Sequence, residues 1–187
     1  MAVEPADRIA RAIDDFRAGR FVIVTGGGEG EANLCIAAQF VDPEAVNFMV
    51  ANGRGLVCLS LTEERMRGLG IPLMVPDSPS VAGRSYGASI EASEGVTTGI
   101  SAHDRARTIR AAVAEDAGPH SLVMPGHIIP VACRKGGVLV RAGLTEASID
   151  LARLAGLEPA AAVCAILEDD GRLAGAATLQ RLAAEFS

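Results

Sequence analysis

The sequence predicts a mixed α/β fold built as one domain. Segments with the periodicity of amphipathic helices alternate along the chain with short apolar runs that are typical of buried strands. The 187 residues, 49% of them hydrophobic and 21% charged, suffice for one sizeable core and exclude a disordered chain. Because no internal repeat is visible, we expect a single domain over residues 1–187.

The first half of the chain predicts three helices among buried strands. The first helix runs from Ala6 to Arg17 with one apolar stripe and is stopped by Gly19. A second is expected to open at Asp42-Pro43, and Thr62 is expected to cap a short third one. Strands are predicted at Phe21 to Val24, Leu34 to Phe40, Gly55 to Leu61 and Gly87 to Ala92, and a loop at Pro76 to Ser85.

The second half continues the alternation. Ser101 and Asp104 form an S-x-x-D capping box for a helix. Thr145 and Thr178 are expected to cap the last two helices, and Asp170-Gly171 predicts a tight turn. Strands are predicted at Leu122 to Met124, Ile128 to Cys133, Val138 to Val140 and Ala161 to Leu167.

The composition of the chain argues against two classes of binding partner, nucleic acid and membranes. A net charge of −6 without a basic patch argues against nucleic acid, because neutralised phosphates supply most of that affinity. No apolar stretch approaches the roughly 20 residues that span a bilayer. The N-terminal segment has the pattern of an amphipathic helix and not of a signal peptide. We therefore expect a soluble, cytoplasmic protein that binds neither membranes nor nucleic acid.

The four cysteines suggest no metal or disulfide framework. Each stands alone in an apolar run, without C-x-x-C spacing. They are Cys35, Cys58, Cys133 and Cys164. We expect buried, reduced thiols.

The stretch TGGGEGEAN, Thr25 to Asn33, forms a glycine-rich turn between two predicted strands. A phosphate loop needs a helix directly after its glycines and a lysine in the P-loop pattern, but the only lysine of the chain is Lys135. Glu29 and Glu31 favour a cation or a hydroxylated ligand over an anion. The alternative is a flexible hairpin whose carboxylates are solvated.

Several ordered blocks resemble the 3,4-dihydroxy-2-butanone 4-phosphate synthase family of riboflavin biosynthesis. They are FVDPEAVNFMVANGRGLVCLSLTEER, IEASEGVTTGISAHDRARTIR, PGHIIPV, KGGVLVRAG followed by TEASIDLARLAGL, and DDG. The resemblance implies a complex α/β fold and a homodimer with both active sites at the subunit interface. It also implies conversion of ribulose 5-phosphate to a four-carbon ketone phosphate and formate.

The chain departs from the family pattern in the glycine-rich loop, where the family has a stretch resembling DDEDRENEGD. Glu29 matches the family's metal-binding glutamate, and Glu31 matches the second glutamate. Gly28 stands where the family has a substrate-contacting arginine, and Asn33 where it has a substrate-contacting aspartate. We therefore keep Glu29 and Glu31 as catalytic candidates and Asn33 as a substrate-binding candidate.

Two further departures from the family pattern replace a metal-ligand residue and a catalytic residue of the family. The family's R-A-G-H-T reads RAGLT here, so that Leu144 replaces a metal-ligand histidine, and Ala165 stands where the family has a catalytic glutamate. Leucine cannot ligate a metal. We expect no resident cofactor, and magnesium only if part of the family's metal site survives.

An anion site is predicted where Arg141 precedes Gly143 and Thr145. A guanidinium fork, close backbone approach at glycine and a helix N-terminus at Thr145 would converge on one phosphate or carboxylate. An ion pair of Arg141 with Glu146 or Asp150 would argue against this site.

Other candidate residues each have a structural alternative. His127 in PGH is a candidate general acid or base, and Cys58 a candidate nucleophile, although both residue types occur as ordinary core groups. Asp104 and Thr108 are substrate-binding candidates because their block borders the family's substrate site. A helix cap and a helix-surface charge are an adequate structural account of Asp104 and its neighbour Arg105.

These departures favour a family member recruited to different, lyase- or isomerase-like chemistry on a small anionic metabolite, in specialised metabolism. Loss of one acid–base group typically costs about 10²–10⁴ in rate. The first alternative is an authentic synthase of riboflavin biosynthesis. The second is a non-catalytic partner of a true synthase.

Overall fold

The computed structural model of the chain describes residues 4–26, 30–75 and 83–186. Its α-helices are α1 (Pro5–Arg17), α2 (Pro43–Phe48), α3 (Glu63–Gly68), α4 (Ala102–Val113), α5 (Leu144–Leu154) and α6 (Ala176–Glu185). Its strands are β1 (Val22–Thr25), β2 (Ala32–Ala37), β3 (Arg54–Thr62), β4 (Ser85–Tyr86), β5 (Ile90–Ala92), β6 (Leu122–Cys133) and β7 (Ala160–Ile166). A π-helical segment, Met49–Gly53, continues α2.

The strands form one mixed sheet in the order β1-β2-β7-β3-β6-β4, with β5 paired to β6. β3 and β6 run parallel, and the other pairs are antiparallel. The mixed α/β fold predicted from the sequence is thereby confirmed.

Two larger apolar cores lie on opposite faces of the sheet, and a third, smaller cluster contains Ala32, Leu34, Ile166 and Ala174. Alternation along β7 divides its side chains, so that Ala162 and Cys164 belong to the core under α2 and α4, whereas Ala161 and Val163 belong to the core under α1 and α5. We call these the α4 face and the α5 face. Every position of β7 except Ala165 is buried, which fits a central strand covered on both sides.

Three helix caps predicted from the sequence are confirmed. The Asp42 carboxylate accepts from the backbone N–H of Ala45 at 2.7 Å. The Thr62 and Ser101 hydroxyls accept from the third residue of their helices at 3.0 Å. Each contact satisfies an N–H that the helix itself leaves without a partner.

Other local predictions are wrong. Val138 to Val140 is not a strand, because Gly137–Leu139 forms a 3-10 turn. Thr145 does not cap α5, which begins at Leu144 with Gly143 as its N-cap. Thr178 lies inside α6, and its hydroxyl donates to Glu168 at 2.8 Å.

The remaining sequence predictions concern a strand boundary, a loop and the cysteines. The two strands predicted between Leu122 and Cys133 are one strand, β6. The predicted loop at Pro76 to Ser85 lies largely outside the described residues. All four cysteines are free, three are buried and Cys58 is half-buried. No helix in the described ranges is long and apolar enough to cross a membrane.

Candidate functional site

His127 and Glu91 form the most directly catalytic arrangement among the described residues. His127 Nδ1 lies 2.6 Å from Glu91 Oε2. The imidazole side chain is 41% exposed, whereas the Glu91 side chain is 10% exposed. When the Glu91 carboxylate accepts from Nδ1–H, a neutral imidazole presents the lone pair of Nε2. This is the arrangement of an oriented general base.

The elements around this pair explain its position. Glu91 lies on β5 between the buried residues Ile90 and Ala92. The Thr108 hydroxyl on α4 lies 3.0 Å from Glu91 Oε1 and also accepts from the Ala92 N–H at 3.0 Å. Thr108 therefore orients the carboxylate from inside the protein and, being fully buried, is placed to position Glu91 and not to contact a substrate.

Asp104 fixes the turn that closes over this pair. Its carboxylate accepts from the Thr97 hydroxyl at 2.8 Å, the Thr97 N–H at 3.1 Å and the Gly99 N–H at 3.0 Å. The hydrogen bond from the Thr97 side chain is the largest cause that lowers the pKa of Asp104, and burial opposes it. Gly99 has φ +86°, and a Cβ there would collide with both Glu91 and His127. Asp104 thus holds a glycine turn against the pair.

A second polar group lies over the α5 face, around an ion pair between Glu31 and Arg84. The two side chains are 18% and 22% exposed. Arg84 Nη1 also lies 3.5 Å from the Tyr86 hydroxyl. Burial acts to lower the pKa of Arg84, but the contacts with Tyr86 and Glu31 outweigh it and raise that pKa. The guanidinium is therefore a permanent positive charge.

Asn33, Ala165 and Cys58 lie on the neighbouring strands β2, β7 and β3. Asn33 stands opposite Ala165 in the β2–β7 ladder, and its Oδ1 is buried without a hydrogen-bond partner in the described part of the chain. Burial, then the neighbouring Cys164, raise the pKa of Cys58 to about 12, although Arg84 opposes them. Cys58 is thus a protonated thiol at neutral pH, which does not support it as a nucleophile.

The N-terminus of α5 differs from the predicted anion site. Arg141 Nη1 lies 3.4 Å from Glu146 Oε1, which also accepts from the Arg134 N–H at 3.1 Å. Glu146 is fully buried, and a Cβ on Gly143 would collide with its carboxylate. The chain therefore supplies its own anion at this helix end. Thr145 is buried inside the first turn.

The structure brings the candidate residues together in two groups. Asp104, Thr108 and Glu91 are tied to α4, with His127 against Glu91. Glu31, Asn33, Cys58 and Arg141 lie with Arg84 and α5. Gly28 and Glu29 lie outside the described residues.

The described residues do not fit a magnesium site. No group of three or more His, Cys, Asp or Glu side chains within residues 4–26, 30–75 and 83–186 is arranged to hold a metal ion. Glu31 is paired with Arg84, and Leu144 is apolar and 4% exposed. No chemical step is therefore assigned to a metal.

Sequence reasoning missed Glu91 and Arg84, whereas it named Glu146 as a partner of Arg141 that would argue against the anion site. Glu91 had a usable signal, because a carboxylate between apolar strand residues must be paired when it is buried. The sequence contains no such signal for Arg84, since this residue lies in a stretch that is predicted to be a loop.

Comparisons with known proteins give the relatives of the chain. A family model described as 3,4-dihydroxy-2-butanone 4-phosphate synthase matches residues 10–187. A protein of that name from Neisseria meningitidis serogroup B is 49% identical over 179 residues, which are 95% of this chain and 49% of the relative. This chain spans about half the length of that relative and of several others.

Solved structures agree in fold. A two-domain 3,4-dihydroxy-2-butanone 4-phosphate synthase from A. baumannii has a TM-score of 0.90 and 49% identity, over 95% of this chain and 53% of that one. A synthase of the same name in complex with two magnesium ions has a TM-score of 0.86 and 39% identity, over 95% and 88%.

These comparisons contradict the expectation of a different reaction on another metabolite in specialised metabolism. Proteins named as the synthase are 46 to 49% identical over more than nine-tenths of the chain. The substitutions at Asn33, Leu144 and Ala165 therefore do not by themselves indicate changed chemistry. The first alternative, an authentic synthase, is better supported.

Proposed function

The chain belongs to the 3,4-dihydroxy-2-butanone 4-phosphate synthase family, and from that premise we propose that it converts ribulose 5-phosphate to 3,4-dihydroxy-2-butanone 4-phosphate and formate. The observation that carries this proposal is the His127–Glu91 pair, in which a half-exposed imidazole is oriented by a nearly buried carboxylate. Riboflavin biosynthesis is the corresponding pathway.

The reaction needs proton transfer and no further reactant. A five-carbon sugar phosphate becomes a four-carbon ketone phosphate and a one-carbon acid, so all atoms of the substrate are accounted for. Protons must leave and return to carbons next to a carbonyl, which requires a base of suitable geometry. We assign this transfer to His127, whose Nε2 accepts the proton while Glu91 stabilises the resulting imidazolium.

The remaining candidates have supporting roles in this proposal. Asp104 and Thr108 position the pair, because their polar atoms are engaged inside the protein. Arg141 is assigned to the ion pair with Glu146 and not to the substrate phosphate. Glu31 and Asn33 are proposed to face the substrate from the α5 face.

The proposal is tested by incubating the purified chain with ribulose 5-phosphate and measuring formate. We expect formate above the level of a heat-inactivated control and in equal amount to the four-carbon ketone phosphate. Formate without the ketone phosphate, or neither product with and without magnesium, would refute the assignment.

We also propose that the chain forms a homodimer. The two polar groups depend on helices from opposite faces of the sheet, so a second copy could complete each site. Exposed apolar side chains near His127 supply a surface to bury: Leu56 is 70% exposed, Val123 50% and Met124 38%. Light scattering at micromolar concentration should give the mass of a dimer, and a monomer would contradict the proposal.

A further inference from the structure

The glutamate of the Glu31–Arg84 ion pair lies two residues after the loop position that matches the family's metal-binding glutamate. Glu31 belongs to the loop that carries the family's metal glutamate, but its carboxylate is paired with Arg84. The position of the family's second ligand is Leu144, a buried apolar side chain. Next to the loop position that matches a metal ligand, the described residues therefore offer a fixed cation, and at the position of the second ligand they offer an apolar side chain.

A guanidinium and a divalent cation bind to the same carboxylate only at a high electrostatic free-energy cost. Like charges repel strongly at contact distance in a site that is partly closed to water. A guanidinium stays protonated in proteins, so Arg84 does not release its proton to make room for a metal ion.

Arg84 directly precedes strand β4. The strand residues Ser85 and Tyr86 pair with Ala132 and Val131 of β6, which fixes the backbone next to Arg84. Its charge acts on Cys58, in the middle of β3. The ion pair with Glu31, which directly precedes β2, and the effect on Cys58 place the guanidinium near β2 and the middle of β3.

We infer that the Arg84 guanidinium supplies the positive charge that stabilises the enediolate, a role that divalent cations commonly fill, and that turnover therefore needs no added metal. This inference rests on the proposed synthase function. Glu31 orients the arginine, and the charge is present before the substrate arrives. The stabilisation is electrostatic, so no bond is formed to Arg84.

The first experiment compares formate production in excess EDTA with production in magnesium. We expect rates within about twofold of each other, because no metal takes part in the step. Loss of turnover in EDTA that magnesium restores would overturn the inference while leaving the synthase function intact.

The second experiment changes the charge itself. Arg84→Met should lower kcat by about a hundredfold or more, and Arg84→Lys should retain part of the rate because a point charge remains. The double variant Glu31→Gln with Arg84→Met controls for the carboxylate that the single variant leaves unpaired. Arg172→Met, which breaks an exposed ion pair with Asp170, should leave kcat unchanged. Equal rates for Arg84→Met and Arg172→Met would overturn the inference.

A third measurement does not depend on activity. Titration with Mn²⁺, followed by electron paramagnetic resonance, should show no tight site in the wild type and little binding by Leu144→His alone. Leu144→His combined with Arg84→Ala should bind at least about tenfold more tightly, because the competing cation is gone. Equal Mn²⁺ affinity of these two variants would show that Arg84 does not occupy the cation position.

If the proposed synthase function itself is wrong, the experiments give a different result from failure of the Arg84 inference. If no formate forms in EDTA or magnesium, calorimetric binding of ribulose 5-phosphate in EDTA replaces the kinetic test. If Arg84→Met lowers this affinity at least about tenfold and Arg172→Met does not, the result supports Arg84 as the charge that meets the substrate. If neither substitution changes the affinity for ribulose 5-phosphate, Arg84 is not the charge that meets the substrate.

Discussion

Replacement of His127 by asparagine should lower kcat for formate production by about 10²–10⁴, the usual loss when a general base is removed. The asparagine amide can still donate to Glu91, as Nδ1–H does in the wild type at 2.6 Å. It cannot accept and return a proton. KM should therefore change by less than about fivefold while kcat collapses, because the substrate is still bound and only the proton transfer is lost.

A matched control is available on α4. His103 is exposed, and His103→Asn should leave kcat unchanged. Glu91→Gln tests the positioning role, because glutamine can still accept from Nδ1–H but carries no charge to stabilise the imidazolium. It should lower kcat less than His127→Asn does, without raising KM. Retention of more than about a tenth of the activity by His127→Asn would exclude His127 as the base.

The parts of this site that could be predicted are those fixed by local sequence. His127 follows from the PGH block and Glu31 from the glycine-rich loop, since both belong to recognisable motifs. Their partners come from other elements: Glu91 is 36 residues from His127, and Arg84 is 53 residues from Glu31. Only the sheet brings these residues together, so residue types along the chain do not reveal the pairs.

The same distinction explains the fold predictions. The caps at Asp42, Thr62 and Ser101 depend on residues three positions away, and they were predicted correctly. Thr178 looks equally suited to a cap. Its hydroxyl instead donates to Glu168, a residue outside the helix that also accepts from the N–H of Gly175, the residue before α6.

The missed turn at Val138 to Val140 has a similar cause. Gly136 and Gly137 both have positive φ, which turns the chain before the apolar run begins. The N–H of Val138 then donates to the Asp150 carboxylate of α5 at 2.8 Å and not to a neighbouring strand. A short apolar run predicts a strand only if its backbone groups have no nearer partner.

Introduction of a carboxylate by Ala165→Glu should raise kcat by at least about tenfold, because the resemblance implies a catalytic glutamate at this position and a positioned acid–base group contributes about 10²–10⁴. Position 165 is not fully enclosed by its neighbours. Ala165 is half-buried on the α5 face, and Gly55 packs directly against it without a side chain of its own. Fewer atoms are therefore displaced than at a fully packed position.

The neighbour across the ladder decides whether the new carboxylate is ionised. Asn33 faces Ala165 directly, and a neutral amide there can donate to a carboxylate, whereas an aspartate would repel it and raise its pKa. Ala165→Glu in the chain as it stands should therefore outperform Ala165→Glu combined with Asn33→Asp. Ala165→Gln matches the size without the charge and should leave kcat at the wild-type value. If Ala165→Gln raises the rate as much as Ala165→Glu, the gain comes from filling space on the α5 face and not from acid–base chemistry at position 165.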